Sequence, residues 1–130
     1  MGESLRYTFT KSERLTNVKL IASVFSSTEN LKAFPILFIH FSLDLQGPSN
    51  YQVLFSVSKK KFKRAVDRNR IKRLMRESFR LQKAEFIQAL GERKLIGAFI
   101  YTNKVITDYT SIYHAFSKVI LQLKNSNPSE

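Results

Sequence analysis

Between residues 59 and 83 the chain concentrates its positive charge while keeping apolar residues at helical spacing. The stretch holds twelve basic side chains and only two acids, Asp67 and Glu77. Winding it from Arg68 at about 100° per residue separates two surfaces. Ile71, Leu74, Met75 and Ser78 fall on one arc, with Phe79 at its edge. Arg68, Lys72, Lys83, Arg76, Asn69, Arg80 and Arg73 fill an adjacent arc of roughly 140°. A solvated helix normally interleaves both signs for i,i+4 pairing, and this one does not. The remaining 105 residues carry 10 basic and 8 acidic side chains. One segment therefore makes the chain basic, with a formal charge of +12 and a pI near 10.2. A polyanionic partner follows, nucleic acid ahead of anionic membrane.

Composition narrows the class. A length of 130 residues suits one domain, residues 1–130, with a real core. The apolar fraction of 43% excludes a disordered basic tail. There is no cysteine, which removes disulfide scaffolds, cysteine-type zinc sites and thiol catalysis. No apolar run reaches membrane-spanning length, and Met1-Gly2-Glu3-Ser4 does not open a secretory signal. A soluble, cytoplasmic protein is expected.

Periodicity orders the elements. Leu15, Val18, Ile21, Ala22 and Phe25 predict an amphipathic helix over Ser12–Phe25, capped by Thr10 or Ser12. Leu31–Phe34 reads as a short strand before Pro35, and Ile36–Leu43 as a longer one. The turn Asp44–Asn50 leads to a strand over Tyr51–Val57, which predicts an antiparallel hairpin with a longish loop. Arg64 to Ala89 reads as one helix, stopped by Gly91. Leu95–Tyr101 reads as a buried strand. Thr107 or Asp108 then caps a last helix with the stripe Ile112, Phe116, Val119, Ile120 and Leu123. The tail Asn125–Glu130 is expected to fray. The order α-β-β-β-α-β-α describes one α+β sandwich.

The lysine-rich loop from Ser58 to Lys63 runs into the start of the basic helix, where free amides can receive phosphate. Arginine predominates on the helix, and its planar fork suits phosphate and stacks on bases. Asn69 adds a donor and an acceptor amid the cations. Catalytic patterns are missing. There is no glycine-rich phosphate loop and no His-Glu-x-x-His pair. The two histidines, His40 and His114, read as packed or surface side chains. The acids Glu13, Asp44, Asp67, Glu77 and Glu85 show no spacing that builds a metal or paired-carboxylate site. No catalytic or metal-binding residue is assigned.

Three motifs then point to a family. They are Ser56-Val57-Ser58-Lys59-Lys60, Ala65-Val66-Asp67-Arg68-Asn69-Arg70-Ile71-Lys72-Arg73 and Arg76-Glu77. Together they closely resemble the protein subunit of bacterial ribonuclease P. Glu13-Arg14-Leu15, with Val24-Phe25 downstream, fits that family's first helix. The resemblance spans roughly Phe9 to Leu123. Two departures stand out. The loop before Ala65 is one residue longer than in many members, with Lys61-Phe62-Lys63-Arg64 in place of their glycine, and Ile21 replaces a common phenylalanine.

The resemblance implies a ribosomal-protein-S5-domain-2-like fold whose β-α-β crossover is left-handed, against the usual rule. It implies a ribonucleoprotein endonuclease in which the RNA subunit, with Mg²⁺ held mainly by RNA, hydrolyses the phosphodiester that joins the 5′ leader to precursor tRNA. The protein would bind the catalytic RNA and the leader, strengthening and broadening substrate binding. The RNA-binding set is Lys59, Lys60, Lys63, Arg64, Arg68, Asn69, Arg70, Lys72, Arg73, Arg76 and Arg80. The leader-binding set is Ile21, Phe25 and Phe41, with Lys59 and Lys60 at the rim. Strand alternation alone leaves Phe41 equally readable as core. Partners would be RNase P RNA and precursor tRNA, with no membrane and no DNA, around a monomeric protein. Composition leaves a structural RNA binder open, and the Arg68-to-Glu77 signature separates the two. A major-groove DNA binder would need a dimerising zipper, and no heptad run follows Lys83. A protein-only nuclease lacks its carboxylates.

Overall fold

The apolar run Leu95–Tyr101 is buried at almost every position, as a strand covered on both faces must be, and it forms β4 at the interior of the sheet. The computed structural model describes residues 9–126. A 3-10 turn at Lys11–Glu13 precedes α1 (Val18–Phe25), β1 (Asn30–Ala33), β2 (Ile36–Ser42) and β3 (Tyr51–Val57). The basic segment forms α2 (Ala65–Leu81) and α3 (Lys83–Leu90); β4 (Leu95–Tyr101) and α4 (Tyr109–Asn125) follow. The sheet order is β1-β2-β4-β3. β1 and β2 pair antiparallel, as do β2 and β4, whereas β3 lies parallel to β4.

This arrangement corrects the expected hairpin. β2 and β3 are not neighbours, because β4 enters between them. The hairpin of the fold is β1–β2, turning at Phe34–Pro35, and β3 reaches β4 through the helical crossover α2–α3. Eight residues separate β2 from β3. A connection of that length sets no register, so the more apolar β4 takes the interior place.

Two helices also depart from expectation. The first begins at Val18 rather than Ser12, because the Asn17 side chain accepts from the Lys19 and Leu20 amides at 2.9 and 3.1 Å. Upstream, Arg14 and Leu15 are extended, and the Leu15 N–H donates to the Val53 carbonyl on the outer edge of β3. The second break divides the basic helix at Gln82. This buried side chain donates to the Tyr113 carbonyl at 3.0 Å and accepts from Ser117 Oγ at 2.6 Å, anchoring the joint on α4. Gly91, at φ +66°, stops α3 as expected. Residues 127–130 of the expected fraying tail, and Met1–Ser4, lie outside the described residues.

The sheet separates two apolar clusters. On one face Phe38, Phe55 and Phe99 meet Ile71, Met75 and Phe79 of α2, Phe86 of α3 and Phe116 of α4. Phe38 and Phe99 stack at 4.3 Å, and Gly97 makes room for them: a Cβ there would lie 2.4 Å from the Phe38 ring. On the other face Val24 of α1 packs with Ile96, Ala98, Leu15 and Leu45. A single short helix covers this second face, over β2 and β4. The row Leu37–Ile100–Ser56 remains only half-buried. The molecule is thus a four-stranded α+β sandwich, closed on one side and partly open on the other.

Candidate RNA-binding surface

Burial assigns the two arcs of α2. Ile71, Met75, Ser78 and Phe79 are buried, with Leu74 packed against them. Asn69, Arg70, Arg73 and Arg76 stand exposed along the opposite side, and with Val66 four of them line a shallow groove. Lys72 is half-buried beside them. Lys59, Lys60 and Lys63 are exposed in the preceding loop. That loop is shaped by its own hydrogen bonds: Ser58 Oγ accepts from the Lys60 and Lys61 amides, and Phe62 is buried beneath it. The cationic surface is therefore continuous from the loop into the helix.

Three basic residues have local partners that set their roles. The Arg68 guanidinium donates to the carbonyls of Phe62 and Lys63 at 2.8 and 2.9 Å. It fastens the loop to the first turn of α2, so only part of its donor set can reach a ligand. Arg64 approaches Asp67 at 3.5 Å. Arg80 donates to Glu77, and this hydrogen bond holds the carboxyl of Glu77 below its usual range. Lys83 leaves the predicted cationic arc altogether. It is buried, with Nζ 3.1 Å from Glu13 Oε2 and 3.2 Å from Oε1.

Glu13 is the centre of that interior group. Its carboxylate also accepts from Tyr51 OH and from the Thr10 amide at 2.7 Å. Burial alone would raise its pKa, but the hydrogen bonds from Tyr51, Thr10 and Lys83 together bring it below the ordinary value. The same burial, with the carboxylate beside it, drives the Tyr51 phenol upward. The group ties the 3-10 turn to β3 and α3. The Arg14 guanidinium lies 5.7 Å from the Phe9 ring centroid, at a groove shared with Leu54, Phe55 and Arg76. Periodicity gave no reason to single out Arg14, which sits in the Glu13-Arg14-Leu15 motif.

The expected leader residues divide between places. Phe25 is 46% exposed on α1, and Ile21 is half-buried against the second cluster. Phe41 resolves to the α1 face, in register with Ile96 and Gln52, and is 39% exposed. Lys59 and Lys60 follow Val57, at the opposite end of β3. Five strand positions, on the order of 17 Å, separate the two ends, so Phe41 and the lysine pair stand at opposite ends of the sheet rather than share a pocket. His40 packs between strands, stacked on Phe38 at 5.4 Å, and burial lowers its pKa; His114 is exposed on α4. Among the described residues no three His, Asp or Glu side chains are grouped to hold a metal, and no helix is long and apolar enough to cross a membrane.

A family model described as Ribonuclease P matches residues 9–120. The chain belongs to the ribonuclease P protein family. Similar proteins carry the same description. A "Ribonuclease P protein component" of Porphyromonas gingivalis is 31% identical over 131 residues, covering 99% of this chain and 96% of that protein. One of Chlorobaculum tepidum is 52% identical over a 56-residue segment, 38% of this chain and 36% of that protein. In fold, the RNase P protein of Thermotoga maritima superposes with a TM-score of 0.63 at 20% identity, over 87% of this chain and 96% of that one. The RNase P protein of Staphylococcus aureus gives 0.64 at 20% identity, over 86% and 95%. This member is the protein subunit of an endoribonuclease in tRNA 5′ processing, and it works with the RNase P RNA.

Proposed function

We propose that α2 and the loop before it dock on the RNase P RNA, while the partly open sheet face holds the single-stranded 5′ leader of precursor tRNA. The observation that carries this reading is the exposed, continuous cationic surface of Lys59, Lys60, Lys63, Asn69, Arg70, Arg73 and Arg76, backed by a buried apolar arc. Cations facing a folded RNA offset phosphate repulsion, and each contact releases counterions. Exposed and partly buried apolar side chains on the other face of the sheet suit contact with unpaired bases. Ile21, Phe25 and Phe41 supply them on the α1 face, and Lys59–Lys60 stand at the far end of the sheet.

On this reading the RNA subunit carries out hydrolysis with Mg²⁺ that it holds itself. Such an ion wants several oxygen ligands, and among the described residues no three His, Asp or Glu side chains are grouped to supply them, while Glu13 and Glu77 are engaged by Lys83 and Arg80. The protein acts as a monomer in the cytoplasm, with precursor tRNA as substrate and without DNA. Reconstitution tests the whole reading. Protein and RNase P RNA are combined at low Mg²⁺ and assayed for leader removal, each alone and together. Protein should lower the Mg²⁺ requirement of the RNA, and should not cut by itself. Sustained Mg²⁺-dependent cleavage by RNA-free protein would overturn the assignment of chemistry to RNA.

A further inference from the structure

Three connections meet at one end of the sheet. The register sets Ile36, Tyr101 and Val57 side by side, so the β1–β2 turn, the loop after β4 and the loop after β3 emerge together. Hydrogen bonds tie them to one another. The Thr102 amide donates to the Pro35 carbonyl at 2.8 Å, and Lys61 Nζ to the Thr102 carbonyl at 3.0 Å. Tyr101 OH donates to the Val105 carbonyl at 2.7 Å and accepts from the Thr107 amide at 3.0 Å. Phe62 packs on Tyr101, ring centroids 5.9 Å apart. This end is a built surface.

Its composition is one-sided. Residues 33–36, 58–63 and 101–107 contain Lys59, Lys60, Lys61, Lys63 and Lys104, and no acid. Among these lysines Phe34 stands 70% exposed and Val105 63% exposed. Holding an aromatic ring out in water adds nothing to the core of the fold. An exposed ring set among cations has the make-up of a stacking platform for single-stranded nucleic acid.

We propose that this end of the sheet extends the leader-binding face, with Phe34 stacking on an unpaired base and Lys104 meeting the adjoining phosphate. The inference rests on the leader reading above. Position favours the leader over the RNase P RNA as occupant. The half-buried row Ser56–Ile100–Leu37 crosses the α1 face beside this end, from β3 to β2, and leads toward the turn that carries Phe34. Two strand spacings, roughly 10 Å, separate that turn from β3. α2, by contrast, packs on β3 from the opposite face of the sheet. A folded RNA docked on α2 meets Lys63, Asn69 and Arg70 first.

The test is the affinity of reconstituted holoenzyme for precursors with leaders from about 2 to about 16 nucleotides, which span the usual single-strand site sizes, and for mature tRNA. Phe34→Ala should weaken binding of long-leader precursor about five-fold or more, and leave short-leader precursor and mature tRNA unchanged. Phe34→Trp should retain the wild-type affinity. Lys104→Ala should weaken the same long-leader precursors and flatten their salt dependence. Because Phe34 also shapes the turn before Pro35, Lys104→Ala carries the test independently of any change in melting temperature. If the wild type prefers precursor to mature tRNA and neither variant changes that preference at any leader length, the extension is wrong and the leader reading stands. A wild type with no such preference removes the leader reading itself. An equal loss of affinity for the RNase P RNA alone would assign this surface to RNA docking and overturn the proposal.

Discussion

Among the described residues, the carboxylate of Glu13 is the one acid buried together with a cation. Lys83 Nζ, Tyr51 OH and the Thr10 amide surround it, joining three elements that are distant in sequence. Removing one partner of a buried pair leaves the other charge uncompensated, at a cost of about 3–5 kcal/mol. Glu13→Gln should therefore lower stability by that order, and Glu13→Gln with Lys83→Met should recover much of it. Denaturant unfolding of the single and double variants checks both. The pH dependence has a definite sign. Glu13 titrates below its ordinary value of 4.5 in the fold, so its contribution is present above that value and is lost as pH falls through the lowered one. Between about pH 5 and pH 3 the wild type should lose more stability than Glu13→Gln. Parallel acid slopes for the two proteins would show that the carboxylate is not held by these partners. Lys83 itself looked like one more member of the cationic arc. Its spacing on the helical wheel is the same as that of a solvent-facing arginine, and only the 3-10 turn arriving from residue 13 distinguishes it.

The basic helix was legible as an element because its two arcs follow from spacing alone: Ile71, Met75 and Phe79 are buried, and Asn69, Arg73 and Arg76 face out. The break at Gln82 was not. Apolar positions continue in helical phase through Phe86 and Leu90, and no glycine or proline marks the joint. The break comes from Gln82 bonding to α4, a tertiary cause without a local signal. Strand pairing shows the converse. The near-continuous apolar run of β4 already marks a strand covered on both faces, a stronger clue to the sheet order than the adjacency of β2 and β3 in the chain. At the site, the exposed cations were readable residue by residue, but the carbonyl partners of Arg68 were not. They set Arg68, which fastens the loop, apart from the exposed cations proposed to contact RNA. Arg73→Ala should weaken RNase P RNA binding and flatten its salt dependence, with little effect on melting temperature. Arg68→Ala should also loosen the 58–63 loop, raising amide exchange at Phe62 and Lys63 as well as weakening RNA binding. Hydrogen exchange on both variants without RNA separates the roles, and identical exchange would return Arg68 to the contacting set.

At the scale of the whole molecule, the sheet divides labour between its faces. One face is closed by α2, α3 and α4 around a phenylalanine-rich core, and the segment 59–83, α2 with the loop before it and Lys83 after it, carries most of the chain's excess charge. That charge repels itself, a cost that core burial has to offset whenever no anion is bound. Any anion that binds the folded surface better than the unfolded chain then adds to stability by mass action. Sulfate should therefore raise the melting temperature of the isolated protein more than chloride does at matched ionic strength. Sulfate also stabilises proteins generally by exclusion from their surfaces, so the informative quantity is a difference between proteins. Arg70→Ala with Arg73→Ala removes two exposed charges and leaves Ile71 and Met75 in place. This double variant should start out at least as stable in low salt, since repulsion is relieved, and should gain less from sulfate than the wild type. Equal gains would assign the whole sulfate effect to exclusion and show that the outer face of α2 binds no anion by itself. A smaller gain ties folding stability and RNA docking to the same arginines, so that the RNA would stabilise the subunit as it binds.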